Sequence, residues 1–356
     1  MATHAEPPPA VARDERTRRV GLASKLLARP ELGAVAGLIL VWVFFAVVAF
    51  DNNFVSWTTT AAVLNRAAPL GILAVAVALL MIAGEFDLSI GSIVGFAGMA
   101  IMVLVTPAEA GGLGWALWPA MAMALILAIL IGMINGWLVV TTRLPSFIVT
   151  LGTLFIFRGL TIAVTRLRTN RTQLGNLDDV SGFELADKLF ATKLSLFGSN
   201  FNLSIVWWIA LTVLATWILL RTKTGNWIFG TGGAVDAARN VGVPTKTVKV
   251  ALFVATASAA TLVAVLQVVQ FTGADALRGT GSEFNAIIAA VVGGCLLTGG
   301  YGSAVGAALG ALIFAMVQQG IVITGVGGDW YQVFVGGVLV LAVIFNNSIR
   351  QRAAKR

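Results

Sequence analysis

Long apolar runs alternate with short polar segments along the chain, and the length of these runs predicts membrane helices. A helix needs about 20 apolar residues to cross a bilayer, and most of the runs approach or exceed that length. The pattern predicts ten spans, over residues 33–50, 61–83, 89–105, 114–140, 147–165, 203–220, 250–271, 285–297, 303–324 and 331–345. The spans beside the acidic positions 85 and 283 are candidates for broken or re-entrant helices, and 285–297 is short enough to cross only part of the bilayer.

Composition agrees with this pattern. Hydrophobic residues make up 58% of the chain, charged residues only 11%, and the mean hydropathy is +0.90. A soluble domain of this length carries far more charge. The chain is therefore predicted to be an all-α, multi-pass integral membrane protein of about ten helices. It is placed in a bacterial plasma (inner) membrane, where it contacts membrane lipid.

The charges predict how the chain is oriented. Lys and Arg cluster in residues 1–30, in the loop 222–249 and in residues 347–356, which marks these segments as cytoplasmic. We therefore interpret the net charge of +8 as membrane orientation and not as a nucleic-acid surface. The proline-containing segment 1–30 is predicted to be a disordered basic tail, residues 31–346 the transmembrane domain, and 347–356 a second basic tail. The polar segment 166–202 is placed outside, and both termini are placed inside.

An acidic stretch interrupts the apolar pattern and then recurs in weaker form. Glu85 and Asp87 lie between two predicted spans, and Glu283 and Asn285 repeat the pattern in a second apolar setting. Carboxylates at such depth are costly and usually functional. Asp87 is better placed to cap the helix that begins near Ser89, and Glu85 to face a pathway, but the two roles are not exclusive.

The recurrence indicates an internal duplication. Residues 84–95 align with 282–293, and residues 128–141 align with 311–324 in the same order. Repeat one is placed at about 61–165 and repeat two at about 248–345. Because five predicted spans separate the two acidic stretches, the copies are inverted, and inverted repeats with interrupted helices are a common transporter architecture.

Buried polar side chains are the candidates for a translocation pathway. Their default role is interhelical hydrogen bonding, but as a group they would exchange hydrogen bonds with a hydroxyl-rich solute. Arg158 is expected to snorkel or to pair with a carboxylate. The predicted pathway residues are Glu85, Asp87, Ser89, Asn135, Gln267, Gln270, Glu283, Asn285 and Gln318.

Catalytic and metal chemistry finds little support in the sequence. His4 and Cys295 are the only residues of their types, so no metal site, catalytic residue or intrachain disulfide is expected. The Gly-rich series lack the Gly-Lys-Ser/Thr of a phosphate-binding loop and are interpreted as helix-packing surfaces. No cofactor is therefore expected in this chain.

The cytoplasmic loop 222–249 contains a short predicted helix that ends at a glycine. A short amphipathic helix on the cytoplasmic surface is suited to docking another protein, and an ordinary solvated connector is the alternative. The residues predicted to make this contact are Asp236, Ala237, Ala238, Arg239, Gly242 and Pro244.

Several motifs together resemble the permease subunits of ABC importers for monosaccharides of the ribose/xylose type, which have the type II importer fold. The resemblance covers about residues 60–345 and is carried by residues 87–92, by 144–153, by Gly232-Gly233 with Ala237-Ala238 and Gly242, and by 286–294 with Gly299-Gly300. It implies a homodimer of permeases, two cytoplasmic ATPase subunits that bind ATP and Mg²⁺, and an external sugar-binding protein. Residues 236–242 resemble the coupling helix of such permeases, with Asp236 where many relatives have Glu.

The resemblance leaves alternatives open. Many relatives have Gly-Ile where this chain has Glu85-Phe86, which puts the exact sugar in question. A nucleoside or branched-chain amino acid permease of the same fold is one alternative. An ion-driven secondary transporter with Asp87 or Glu85 as its proton site is another. A membrane enzyme is the weakest candidate, because the sequence has no Ser/His, Cys/His or metal-ligand constellation.

Overall fold

The computed structural model describes residues 30–327, 330–333, 336, 337 and 340. Helices dominate this part of the chain. They are α1 Pro30–Val48, α2 Trp57–Ile82, α3 Ile90–Val105, α4 Leu117–Thr142, α5 Ser146–Thr169, α6 Phe183–Ala186, α7 Ser204–Arg221, α8 Lys223–Gly233, α9 Val235–Asn240, α10 Thr245–Gln270, α11 Ser282–Val292 and α12 Ala304–Ile323. The strands are β1 Gln173–Leu174, β2 Lys193–Leu196, β3 Ser199–Asn202 and β4 Ala274–Asp275.

Seven helices within the described residues are long and apolar enough to cross a membrane: α1, α2, α4, α5, α7, α10 and α12. They coincide with seven of the ten predicted spans, and an all-α membrane protein is confirmed. Two further predicted spans correspond to α3 and α11, which are apolar but shorter. The tenth, 331–345, lies mostly outside the described residues, as do both predicted basic tails. The count of ten therefore remains a prediction.

Helix α11 differs from its predicted span because glycines define its ends. It begins at Ser282, after Gly281 with a φ of +83°, and it ends at Val292, before Gly293 and Gly294. Gly294 has a φ of +95°, a conformation that a residue with a Cβ adopts only with strain. With 11 residues, α11 is about 16 Å long at 1.5 Å per residue, about half of a hydrocarbon core of about 30 Å.

Helices α2 and α10 form the centre of the bundle, and the packing around them is reciprocal. Helix α2 packs against α12 and α11, whereas α10 packs against α4 and α3. The central helix of each predicted repeat thus contacts the two following helices of the other repeat. This reciprocal packing supports the internal duplication. The inverted orientation of the two copies remains a prediction.

The starts of the two short helices relate the two copies in a register that differs from the sequence alignment. Glu85 precedes α3 in an irregular segment, whereas Glu283 lies in the first turn of α11. If the two helices are matched by their first residues, Ile90 pairs with Ser282 and Gly91 with Glu283. Gly91 and Glu283 are in direct contact, since a Cβ on Gly91 would lie 1.9 Å from Glu283 Oε2. The beginnings of the two short helices therefore meet inside the bundle.

Short strands and helical turns build the segment between α5 and α7. Strand β1 pairs antiparallel with β4, which links this segment to the connection between α10 and α11. Strands β2 and β3 form a hairpin. The polar character of 166–202 predicted only a long external loop, because pairs of two to four residues leave no periodic signal.

The predicted loop 222–249 is mostly helical. Residues 236–242 were expected to form one short helix, and α9 is this helix. Helix α8 precedes it and was not predicted, because its glycines weaken any helical signal. Helix α10 begins at Thr245, five residues before the predicted span, so that it projects beyond the apolar run.

Candidate functional site

The acidic stretch is an extended segment held in place by the first turns of α5. Helix α2 ends at Ile82, and Gly84, with a φ of +84°, turns the chain out of the helix. Ser146 Oγ then accepts a hydrogen bond from Phe86 N at 3.0 Å, and Thr150 Oγ1 accepts one from Leu88 N at 3.0 Å. Without these hydroxyls, two partly buried peptide N–H groups would lose these partners. The hydroxyls therefore fix the direction in which the acidic side chains leave the backbone.

Asp87 is the centre of a fully buried hydrogen-bond network. Its Oδ1 accepts from Ser89 N at 2.9 Å and from Ser89 Oγ at 2.6 Å, and its Oδ2 accepts from Thr256 Oγ1 of α10 at 2.6 Å. Asn135 Nδ2 of α4 donates to Ser89 Oγ at 2.9 Å. Asp87, Ser89 and Asn135 are 0% exposed. Asp87 thus holds Ser89, the residue before α3, and joins it to α4 and α10, whereas its capping of α3 stays a prediction.

Glu85 takes part in a different contact. It accepts a hydrogen bond from Lys249 Nζ, in an ion pair whose side chains are 11% and 17% exposed. Lys249 lies near the beginning of α10, five residues after Pro244 and close to α9. The pair therefore connects the acidic segment to the helix that follows the predicted coupling segment.

Glu283 pairs with Arg158, the residue whose partner the sequence leaves open. Arg158 Nη2 of α5 donates to Glu283 Oε1 at 3.2 Å, and Glu283 is 2% exposed. The second oxygen, Oε2, is buried beside Gly91 and has no hydrogen-bond partner. Unlike Glu85, Glu283 therefore sits where the two short helices meet.

Four of the predicted pathway residues line one cavity of about 360 Å³ between α2, α10, α11 and α12. Gln267 Oε1 is buried and has no partner among the described residues, so it can accept a hydrogen bond from a solute. The lining also contains Asn65 and Arg66 from the third turn of α2, together with Ser282 and Tyr331. The predicted residues at the cavity are Gln267, Gln270, Asn285 and Gln318.

The predicted pathway residues thus fall into two groups. The three glutamines and Asn285 share the cavity, and Asp87, Ser89 and Asn135 belong to the buried network. Apart from these two groups, Glu85 and Glu283 each form an ion pair, with Lys249 and Arg158. The sequence analysis missed Thr256, Lys249, Asn65 and Arg66. Ser146 and Thr150 lie inside one of the sequence motifs, but the sequence predicted no role for them. A Thr within an apolar helix carries no signal of its partner, and Lys249 was interpreted as part of a basic loop.

The predicted coupling segment is exposed on one side. Asp236 and Arg239 form a surface pair at 3.7 Å, and Val241 is 81% exposed, whereas Ala238 is buried. Gly242, with a φ of +87°, ends the turn. Just before this segment, Gly232 of α8 lies against Ile82 O and Gly300 N, and Gly299 lies against Gly84. A contact of glycine backbones therefore joins α8 to the start of the acidic segment.

Comparison with known proteins identifies the family. The chain matches the family described as "Branched-chain amino acid transport system / permease component" over residues 59–343, and it belongs to that family. The xylose transport system permease protein XylH of Escherichia coli (strain K12) is 28% identical over 389 residues, covering 92% of this chain and 98% of that protein. The autoinducer 2 import system permease protein LsrC of Salmonella typhi is 29% identical over 319 residues, covering 89% and 86%. No solved structure matches the chain.

These comparisons establish the class of protein. The chain is a multi-pass transport permease and not an enzyme, and the resemblance to permeases of ABC importers is confirmed. XylH is a permease protein of a transport system and LsrC is one of an import system, which does not favour the ion-driven alternative. Within the described residues, no group of three or more His, Cys, Asp or Glu side chains could hold a metal ion.

Proposed function

We propose that this chain is the permease subunit of an ATP-driven importer for a monosaccharide, and that the solute contacts the amide-lined cavity during transport. The observation that carries the proposal is the convergence of Gln267, Gln270, Asn285 and Gln318 on one cavity, with Gln267 Oε1 left without a partner. Amides both donate and accept, as the hydroxyl groups of a sugar do. The similarity to XylH, a xylose transport permease, and to LsrC, an autoinducer 2 import permease, supports a small solute of this kind.

The charge of the cavity disfavours a solute that carries an ammonium group. Its described lining includes one cation, Arg66, and no carboxylate. An amino acid carries an ammonium group, which needs an anionic partner when it loses its water. A pentose such as xylose or ribose, or a similar sugar, has no such requirement. A volume of about 360 Å³ is also at the small end of ligand cavities, which begin near about 300 Å³.

The assembly follows from the same proposal. Two copies of the chain form the pathway in the bacterial inner membrane, with both termini in the cytoplasm. A separate ABC ATPase binds ATP and Mg²⁺ and contacts α9, and an external sugar-binding protein delivers the solute. The exposed Val241 and the Asp236–Arg239 pair are available for the ATPase contact.

Uptake into proteoliposomes tests the solute. The permease is reconstituted with its ATPase and binding protein, and labelled xylose and ribose are competed with hexoses, a nucleoside and leucine. Gln267→Leu removes the free acceptor and is expected to reduce sugar uptake about tenfold, since a buried unpaired polar group costs about 1–3 kcal/mol. Gln319→Leu is the matched control, because its Oε1 is also buried and unpartnered but does not line the cavity. Competition by leucine alone, or equal loss in both variants, would contradict the proposal.

A second experiment tests the coupling segment. Gly242→Arg, or deletion of residues 236–242, should reduce co-purification of the ATPase and abolish ATP-dependent uptake, while the permease still inserts into the membrane. Gly233→Arg is the control, because a Cβ at Gly233, as at Gly242, would meet no atom within 4 Å, but Gly233 precedes α9. Undiminished ATPase association and uptake after the deletion would refute the coupling role.

A further inference from the structure

A second cavity, of about 610 Å³, lies on the surface of the bundle and is separate from the amide-lined cavity. Helices α4 and α7 form its walls, and α2 and α10 form its floor. We call it the α4/α7 groove. Its wall residues include Met121 and Leu125 of α4 and Leu214 and Ile218 of α7. These helices are membrane-spanning by length and composition, so the groove lies at the depth of the hydrocarbon chains.

The chemistry of the groove suits an alkyl chain. Its two hydroxyl groups are already satisfied within α10, because Ser258 Oγ donates to Val254 O at 2.8 Å and Thr261 Oγ1 donates to Ala257 O at 2.9 Å. None of the buried polar atoms that lack partners in the described residues belongs to the lining. A polar solute would therefore lose its hydrogen bonds to water without replacing them.

The two ends of the groove differ in polarity. At one end Trp118 and Phe190 belong to the lining, their ring centroids 6.3 Å apart, and Trp207 stacks on Phe190 at 5.7 Å. At the other end Ile218 is followed one turn later by Arg221, and Lys223 begins α8. Both cations are exposed, and neither forms an ion pair within the described part of the chain.

We infer that the α4/α7 groove binds one acyl chain of an anionic phospholipid, whose phosphate lies at Arg221 and Lys223. The aromatic rings at one end, the apolar groove and the two cations at the other end match, in order, the end of an alkyl chain, the chain itself and the phosphate. Each basic residue near an anionic headgroup adds to the attraction. A zwitterionic lipid would fill the same channel but gain less from the two cations. The inference does not depend on the transported solute.

Native mass spectrometry of the full-length permease tests the site, with phosphatidylglycerol and phosphatidylcholine of the same acyl chains as probes. The unaltered chain is expected to retain one phosphatidylglycerol with a preference of about tenfold over phosphatidylcholine. Replacing both cations (Arg221→Gln with Lys223→Gln) should reduce that preference to about twofold or less. These side chains are exposed, so folding should be unaffected. Arg143→Gln, at the end of α4, is the control for charge.

Filling the groove tests the acyl-chain contact. Ala122 of α4 is exposed and lines the groove, whereas Ile126, one turn further on, is exposed outside it. Ala122→Trp should lower phosphatidylglycerol occupancy about fivefold or more, and Ile126→Trp should not. Equal retention of the two lipids by the unaltered chain, or equal occupancy in the two Trp variants, would overturn the proposal. Loss of a chain dimer in Ala122→Trp with unchanged lipid occupancy would instead assign the groove to a second copy.

Discussion

Lys249 of α10 donates a hydrogen bond to Glu85, and this contact joins the acidic segment to the helix that follows α9. Both side chains are mostly buried. Removing one partner of such a pair leaves an uncompensated charge. Glu85→Gln and Lys249→Gln should therefore each destabilise the folded permease by about 2–4 kcal/mol.

A double-mutant cycle measured by thermal unfolding in detergent checks this prediction. The double variant should be more stable than the sum of the two single effects by at least about 1 kcal/mol, because the pair is then removed as a unit. Asp236→Asn, in the exposed pair with Arg239, should leave the melting temperature unchanged. Additive effects at positions 85 and 249 would show that the contact contributes nothing to stability.

Asp87 is predicted to act through its hydrogen bonds and not through a titrating charge. In Asp87→Asn the remaining oxygen still accepts from Ser89, and the new amide donates to Thr256 Oγ1, whose hydroxyl still donates to Phe253 O. Asp87→Ala leaves both Ser89 donors unsatisfied and should cost about 2 kcal/mol or more. Asp87→Asn should cost less than about 1 kcal/mol and keep uptake. Uptake abolished in a folded Asp87→Asn permease would indicate a proton site.

Thr150 is predicted to matter because it holds the extended segment. Thr150→Val keeps the shape of the side chain but removes the acceptor for Leu88 N, which should cost about 1–3 kcal/mol of stability. Thr161→Val is the matched control on α5, since Thr161 is also buried but donates only to Phe157 O of its own helix. Comparable losses of thermal stability in the two variants would show that the contact with Leu88 contributes no more to stability than the intrahelical bond of Thr161.

Hydrophobic run length was sufficient to predict seven of the helices, because a membrane helix must satisfy its backbone internally and expose apolar side chains along its whole length. The short helices α3 and α11 were harder to delimit. Helix α11 lies between Gly281 and Gly294, which have positive φ values, and α3 begins at Ile90, six residues after Gly84 turns the chain out of α2. The two acidic residues that match in sequence also differ in position, since Glu85 precedes the start of α3 and Glu283 follows the start of α11.

The candidate site was only partly predictable. The sequence marked the amides Gln267, Gln270 and Gln318, because a polar side chain in an apolar run is conspicuous. It could not distinguish a buried network from a cavity lining, since both need the same residue types. Partners such as Thr256 come from distant helices, and nothing in one sequence records which helices touch.

Gly232 of α8 is predicted to be irreplaceable because three backbones meet there. A Cβ on Gly232 would lie 1.8 Å from Ile82 O and 2.7 Å from Gly300 N, two atoms that hydrogen bond to each other at 2.8 Å. Gly232→Ala must therefore displace α8 or break that bond. Overpacking of this kind costs typically about 1–3 kcal/mol. The expected result is a lower melting temperature and, if α8 and α9 carry the coupling, ATPase activity that no longer responds to solute.

Gly233→Ala is the decisive comparison, because Gly233 is the next residue and a Cβ there would meet nothing within 4 Å. Helix propensity alone favours Ala over Gly by about 1 kcal/mol in both positions. Propensity therefore predicts that both substitutions stabilise α8. The backbone contact instead predicts that the change in melting temperature has opposite signs in the two variants. A melting temperature that falls for Gly232→Ala and holds or rises for Gly233→Ala would establish that contact as the link between α8 and the acidic segment. A rise in both would refute it.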